Sequence, residues 1–483
     1  MHRRKRASPF LLPIILLLSV TLPHLDQGDF RTDTARYAAV GLQAWRDARC
    51  FWIPHLHPNV PYFNKPPLVF WIHGAWLRLL GVHLTVARLP SILAAAGCVL
   101  LTVAITRQLL GATMAATAGS VLALTYEFFR RTREISLDMW LLLFMLMAVW
   151  LAVLAERSRQ RRYLVLAGVP LGLALLCKPL IALLVLPIVA CWWAAQRPQP
   201  PAPAPDAMFK TLPVTLLVAV LVAAPWHVSM AATYGREFTA QYFGAEILAR
   251  ARGRIHAAGP AYYLRELGRT YWPWLPFFVL GLVTRFTRYA SARHRNGIRL
   301  AALWLAVWFV ALTIFPDKRP RYALPLYPMA AIITACGLQH LPWRRLRAWH
   351  GRALRVLAVL AAAVGLLAAL LPLQLQAPPD PHFTALLGWV QQHGHPSVYS
   401  AALETNDEGY FYLHTGAWPE PTHTRAGRRL RNLPSGAYLV YRTSVFNLRP
   451  GPNETTVFQS GPLLVTRLEA GGWQPRIIAS AAP

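Results

Sequence analysis

Apolar runs close to the thickness of a lipid bilayer recur along most of this chain, and no other feature narrows its fold as far. Phe10 to Pro23, Met139 to Ala155 and Val356 to Leu373 are examples, each near the ~20 residues that a spanning helix needs. The runs predict a polytopic helical bundle where a length of 483 residues alone would suggest three soluble domains. Composition agrees. Charged residues make up 14% of the chain and hydrophobic ones 55%, whereas a soluble domain carries about 25% charged residues.

Read as helices, the runs place about eleven spans near residues 10–23, 86–106, 112–130, 139–155, 163–177, 179–195, 211–228, 271–284, 300–315, 323–340 and 356–373. The opening Met1-His-Arg-Arg-Lys-Arg6 could begin a signal peptide, but no small-residue cleavage site follows, so it reads as a retained first helix with a cytoplasmic N-terminus. Loops holding Glu156 to Arg162, Arg285 to Arg299 and Arg344 to Arg355 then fall inside, as positively charged loops should. The net charge of +29 is spread between spans as a topology signal, which sets nucleic-acid binding aside. Cys50, Cys98, Cys177, Cys191 and Cys336 imply no disulfide framework.

Pro67 to Leu84 is apolar but contains His73, Arg78 and His83, and counting it as a span would invert every later loop. It is expected to lie in the interface as an amphipathic helix, within a long first outer loop of about 24–85. Residues 196–210 read as a proline-rich spacer. Beyond Leu373 the composition turns mixed and polar, with a helix near Phe383 to Gln392 and strand-like runs at Ser397–Ser400, Ala437–Tyr441 and Leu463–Thr466. The expected fold class is an all-α polytopic membrane protein, residues 1–373, followed by a small α/β periplasmic domain, residues 374–483.

Ionisable residues are scarce within the spans and gather at their outer ends, which favours chemistry at the outer face over passage across the membrane. Asp26, Asp29, Asp33 and Arg36 follow the first span, and Asn64-Lys65-Pro66-Pro67 opens the interfacial helix. Glu134 and Asp138 precede the fourth span, Lys178 sits at the tip of a helical hairpin, and Phe315-Pro-Asp-Lys-Arg-Pro-Arg-Tyr322 joins the ninth and tenth. Bland readings stand beside these. Glu134 suits a helix cap, Arg130, Arg131 and Arg133 suit headgroup anchors, and Lys178 could snorkel. Three cations within Lys318 to Arg321 on an outer face run against the topology rule, and that departure suggests an anionic ligand.

These motifs carry a resemblance. Thr32-Asp-Thr-Ala-Arg-Tyr37, Tyr62-Phe-Asn-Lys-Pro-Pro-Leu-Val-Phe-Trp71, Ser136-Leu-Asp-Met139, Pro225-Trp-His227, Gly235-Arg-Glu-Phe238 and Phe315 to Pro328 resemble the bacterial aminoarabinose transferase family. These are GT-C enzymes that use polyprenyl-phosphate sugars and are related to protein O-mannosyltransferases. The resemblance implies catalytic roles for Asp33 and Asp138, and donor-phosphate binding by Lys65, with Lys318 and Arg321 on the phosphate side. Arg36, Tyr62, Lys178, Glu246 and Tyr322 are further candidates for substrate binding. The chain departs from the family at Thr34 and Asn64, where acids are common, and at Ile247, where a histidine is; polar groups that could hold a metal in relatives are missing, so no metal or other cofactor is predicted.

The implied activity is an inverting transfer of a hexose or pentose from a polyprenyl phosphate to a lipid A, glycan or protein acceptor at the outer face of the bacterial inner membrane. Membrane lipids surround it and no nucleic acid is involved. A leaving group that is already a phosphate needs cations, not a general acid, and an acceptor hydroxyl needs a proton acceptor, for which Asp33 is best placed by its motif. A transporter or flippase of an anionic lipid is the alternative, disfavoured by the lack of clear repeat symmetry; a catalytically inactive relative is the third reading.

Overall fold

The computed structural model describes residues 8–30, 32–57, 60–178, 180–195, 209–248, 258–284, 292–340, 379–403, 405–421, 433–443, 448–469 and 476–477. In chain order its helices are α1 (Leu11–Thr21), α2 (Thr32–Arg46), α3 (Ala48–Trp52), α4 (Leu68–Leu80), α5 (Leu84–Leu110), α6 (Ala112–Ala123), α7 (Tyr126–Arg130), α8 (Leu137–Ser158), α9 (Arg161–Leu166) and α10 (Gly168–Leu175). There follow α11 (Val185–Ala194), α12 (Leu212–Thr239), α13 (Tyr262–Thr270), α14 (Leu275–Thr284), α15 (Ala292–Ile314), α16 (Leu326–His340), α17 (Pro381–Gln392) and α18 (Thr405–Thr415). The strands are β1 (His55–His57), β2 (Val60–Pro61), β3 (Val398–Ala402), β4 (Glu420–Pro421), β5 (Tyr438–Arg442), β6 (Leu448–Arg449), β7 (Glu454–Ser460), β8 (Leu463–Leu468) and β9 (Arg476–Ile477).

Four described helices are long and apolar enough to cross a membrane: Leu84–Leu110, Leu137–Ser158, Leu212–Gly244 and His294–Ile314. Other expected spans are less regular. The run at 112–130 divides into α6 and the charged α7, whereas the run at 163–177 stays helical through Ala167, whose amide bonds the Tyr163 carbonyl at 3.0 Å, and is α9 followed directly by α10. The run at 179–195 opens as a 3-10 turn, Ile181–Leu184, before α11. The expected span at 356–373, the loop at 344–355 and residues 196–208 of the spacer lie outside the described residues.

Chain contacts divide the protein into two compact units. One holds residues 1–25, 63–69 and 88–373. Its helices approach closely where glycine removes a side chain. A Cβ at Gly168 would lie 2.4 Å from the Thr215 carbonyl oxygen, and one at Gly172 would lie 2.7 Å from that of Ala219, so α10 and α12 pack nearly backbone to backbone. Small residues make such contact possible between membrane helices, where van der Waals packing drives association. The turn between α5 and α6 depends on Gly111, whose φ of 100° is open to glycine and strained for other residues.

The other unit holds residues 26–62, 70–87 and 374–483. Segments of the first outer loop, expected to belong with residues 1–373, therefore share a unit with residues 374–483. Its five-stranded sheet has the order β4-β3-β5-β8-β7. The pairs β3–β4 and β3–β5 are parallel, while β5–β8 and β7–β8 are antiparallel. Leu439 and Tyr441 of β5 and Leu464 and Leu468 of β8 make its core with Leu433 and Ala437. In the loop segments, α2 and α4 cross at two glycines: a Cβ on Gly74 would fall 2.0 Å from the Gly41 carbonyl oxygen. The buried face of α4 is Phe70, His73, Gly74 and Leu77, with Trp71, Ala75 and Leu79 on the other side, the spacing expected of an amphipathic helix.

Candidate active site

In the first unit, the start of α8 is held by a set of buried arginines. Arg88 donates to the carbonyls of Arg133, at 3.0 Å, and of Leu25. Arg133 donates to the carbonyls of His24, at 3.0 Å, and Pro23. Arg131 pairs with Glu127 at 2.5 Å and with Glu134 at 2.9 Å. Arg131 and Arg133 are 7% and 4% exposed, which corrects the headgroup-anchor reading for both: their donors are spent inside the protein. Glu134 likewise faces arginines and caps nothing; the cap of α8 is Ser136, whose Oγ accepts from the Met139 amide at 3.2 Å. Ser91 Oγ donates to the Glu134 carbonyl at 2.7 Å and accepts from the Ser136 amide at 3.1 Å. The turn before α8 is thereby fixed, and with it Asp138 in the helix's first turn.

Asp138 is the centre of a cation cluster drawn from three separate parts of this unit. Lys178 Nζ lies 2.5 Å from its Oδ1 and Arg321 Nε lies 3.7 Å from its Oδ2. Lys178 reaches it from the turn after α10, where its own amide bonds the Ala174 carbonyl at 3.0 Å. Arg321 and Tyr322 come from a 3-10 turn, Pro320–Ala323, that proline starts with its fixed φ. The Lys178 ammonium also sits 4.3 Å from the centroid of the Tyr322 ring, a cation–π distance, and Tyr322 donates to Asp317 Oδ2 at 3.3 Å. One buried carboxylate therefore stands between two cations, holding both in place and leaving a net positive charge for a further anion.

The Lys65 motif lies in the same unit. Lys65 is 9% exposed and donates to the Asn64 carbonyl at 3.0 Å. The Asn64 amide oxygen accepts from Gln241 Nε2 at 2.8 Å, and the Phe63 ring packs edge-on against Tyr234 at 5.0 Å. The Leu68 amide donates to the Leu176 carbonyl at 3.3 Å, two residues before Lys178. Asn64 thus meets a neutral amide. Gln241 carried no sequence signal for this contact, since 177 residues separate the two.

Lys318 departs from its expected role. Its ammonium donates to the carbonyls of Leu312, Thr313 and Phe315 at 2.8, 3.0 and 2.9 Å, closing the end of α15. Three donors meet three acceptors, so no proton is left for a phosphate. Burial holds its pKa below the usual lysine value. The Glu246 side chain lies outside the described residues. Among the described residues, no three His, Cys, Asp or Glu side chains gather into a group that could hold a metal.

In the second unit, Asp33 occupies the first turn of α2, where a carboxylate favours the helix dipole. Arg36 Nη2 lies 2.5 Å from its Oδ1, one turn on, with both side chains about one-fifth exposed. The Arg36 guanidinium also stands 5.4 Å from the Tyr37 ring centroid and 5.8 Å from that of Tyr62. Both tyrosines rest on Phe70, at 5.5 and 5.6 Å. Tyr37 was not singled out as a site residue from the sequence; its place in the Asp33–Arg36 motif was the available signal.

Residues 64–228 match the protein family described as dolichyl-phosphate-mannose-protein mannosyltransferase. The chain is similar to an undecaprenyl phosphate-alpha-4-amino-4-deoxy-L-arabinose arabinosyl transferase of Pseudomonas fluorescens, with 28% identity over 413 residues, covering 80% of this chain and 70% of that protein. It is 26% identical to the corresponding transferase of Edwardsiella ictaluri, of which it spans 64%. Among solved structures, it is similar in fold to ArnT from Cupriavidus metallidurans bound to undecaprenyl phosphate. The TM-score is 0.70, at 16% identity, covering 94% of this chain and 97% of the other.

Proposed function

We propose that this chain, which is similar in sequence to the undecaprenyl-phosphate aminoarabinose transferases and in fold to ArnT, moves a sugar from a polyprenyl phosphate to a lipid A, glycan or protein acceptor at the outer face of a bacterial inner membrane. The observation that carries this reading is the Lys178–Asp138–Arg321 cluster, with cations at 2.5 and 3.7 Å from one buried carboxylate.

In the transfer, an acceptor oxygen forms a bond to the anomeric carbon as the bond from that carbon to the phosphate oxygen breaks. The polyprenyl phosphate leaves with an added negative charge. Lys178 and Arg321 would take up that charge without reorganising, because Asp138 and the Tyr322 ring already hold them in place. Lys65 is the third cation assigned to the phosphate, on the strength of its motif. Asp138 is then the counterion that fixes the cations, and the Asp33 carboxylate is the base assigned to the acceptor, taking the proton of an acceptor hydroxyl as the new bond forms. A single displacement inverts the anomeric carbon. The scarcity of ionisable groups inside the spans supports transfer over transport.

The test is a transfer assay with purified protein and a radiolabelled polyprenyl-phosphate sugar. The enzyme should give labelled product, Asp33→Asn should lower turnover by roughly 10²–10⁴-fold, and Thr34→Ala should cost little. Full activity in Asp33→Asn would remove Asp33 from the site. Movement of intact donor across a bilayer, with no labelled product, would establish the transporter in place of the enzyme.

A further inference from the structure

The second unit contains a contact between helices that belong to opposite ends of the chain. Helix α18 packs across α2, and the two meet at Gly409. A Cβ built there would lie 3.0 Å from the Arg36 Cα, 3.1 Å from the Arg36 nitrogen and 3.2 Å from the Ala35 carbonyl carbon. Those neighbours are backbone atoms and cannot rotate aside. Ala35 is 1% exposed, so the backbone between Asp33 and Arg36 runs through packed surroundings where this contact forms.

Side chains that follow Gly409 in α18 hold α2 at both ends. Tyr410 donates to Asp29, three residues before α2 begins, and the His414 ring packs edge-on against Phe30 with centroids 6.4 Å apart. Tyr412 donates to Gln43 Oε1 at 2.8 Å and accepts from Arg46 Nη1 at 3.2 Å, in the last turn of α2. The helix is therefore tied before its first turn and at its last, and pressed in between at the residue whose guanidinium grips Asp33.

We propose that α18 is the positioning element of the Asp33–Arg36 pair, with Gly409 as the residue that sets how close α2 may come. The proposal rests on the reading that Asp33 serves the transfer. It gives the residues after 373 a direct part in the reaction: their helix decides where the acid of the first loop stands. A Cβ at Gly409 would press the α2 backbone aside by a few tenths of an ångström and a larger side chain by more, and an error of about 1 Å at a reacting group can cost on the order of 10²-fold in rate.

The experiment compares Gly409→Ala, Gly409→Leu and Tyr410→Phe with the wild-type protein, each alone and in an Asp33→Asn background. The full chain is purified in detergent, and kcat and donor KM are read beside the melting temperature. We expect a graded fall in kcat, a few-fold for Gly409→Ala and about a hundredfold for Gly409→Leu, with the donor KM held. In the Asp33→Asn background the same changes should add less than about twofold, because the pair they position no longer acts. Tyr410→Phe removes one tether without adding bulk; it should lower kcat by a few-fold at an unchanged melting temperature, and so stands as the test if Gly409→Leu fails to fold. Losses that multiply fully with Asp33→Asn would overturn the proposal and make α18 a general support, as would wild-type kcat in all three single variants. Full activity in Asp33→Asn alone is a separate result: it overturns the role of Asp33 and the proposal with it, whatever the Gly409 variants do.

Discussion

Asp138 holds two cations, and the division of labour among the three charges can be measured. If Lys178 only neutralises Asp138, then Lys178→Met is harmful because it leaves a buried carboxylate with one partner at 3.7 Å, and removing the carboxylate as well should restore the enzyme. If Lys178 serves the donor phosphate, the double variant stays impaired. We expect the second outcome: donor KM rises about tenfold to a hundredfold in Lys178→Met, the range of a charge-assisted hydrogen bond, and Asp138→Asn added to it recovers little. A double variant with wild-type donor KM would return Lys178 to a structural role. Part of this was legible. Asp138, Lys178 and Arg321 were each picked out by position at a helix end or by motif, but their meeting was not, since 40 residues separate the first two and periodicity says nothing about contacts across a bundle. The same blindness made Lys318 look like a phosphate ligand: three carbonyls at the end of α15 consume its donors, and a string of letters does not show where those carbonyls point.

Helix ends and breaks were read less well than helices. The run at 112–130 reads as one span, yet the backbone leaves the helix at Leu124 and Thr125 before the charged α7, and hydropathy alone does not mark that point. Glycines inside apolar runs were passed over for the same reason, though they decide the packing. In α14 and α16 the pairing is reciprocal. A Cβ on Gly281 would fall 2.0 Å from the Ile333 carbonyl oxygen, and one on Gly337 would fall 1.9 Å from that of Phe277. The helices run antiparallel at this crossing, each offering its glycine to the other's backbone. Each has a single glycine there, so no GxxxG repeat announced the contact. Substitution should behave as overpacking. Gly281→Leu and Gly337→Leu are each expected to destabilise the protein by about 1–3 kcal/mol, read as lower melting temperature in detergent. Because both act on one crossing, the pair should cost less than the sum of the singles. Variants as stable as the wild type would show that α14 and α16 can separate at no cost.

For the molecule as a whole, the two compact units bear on topology through parity. Residues 26–62 and 70–87 share a unit with residues 374–483, and α2 of the first segment packs on α18 of the last. Segments that fold together lie on one side of a membrane, so the chain between them must cross an even number of times. The sequence places nine spans between residues 86 and 340, an odd number. On that count we expect one more crossing before residue 380, and the apolar run Val356–Leu373, which lies outside the described residues, has the length for it. The same expectation has Arg344 to Arg355 share a side with Arg157 to Arg162, as the retention of positive charge favours. Single cysteines introduced into a cysteine-free background test every part of this. In intact cells an impermeant thiol reagent should label exposed positions near residues 49 and 395, and should reach positions near 160 and 348 only after permeabilisation. Labelling at 348 in intact cells, with 160 protected, would mean that the run at 356–373 does not cross, and that the unit formed by the first loop and the C-terminal residues has to be reached by some other path of the chain.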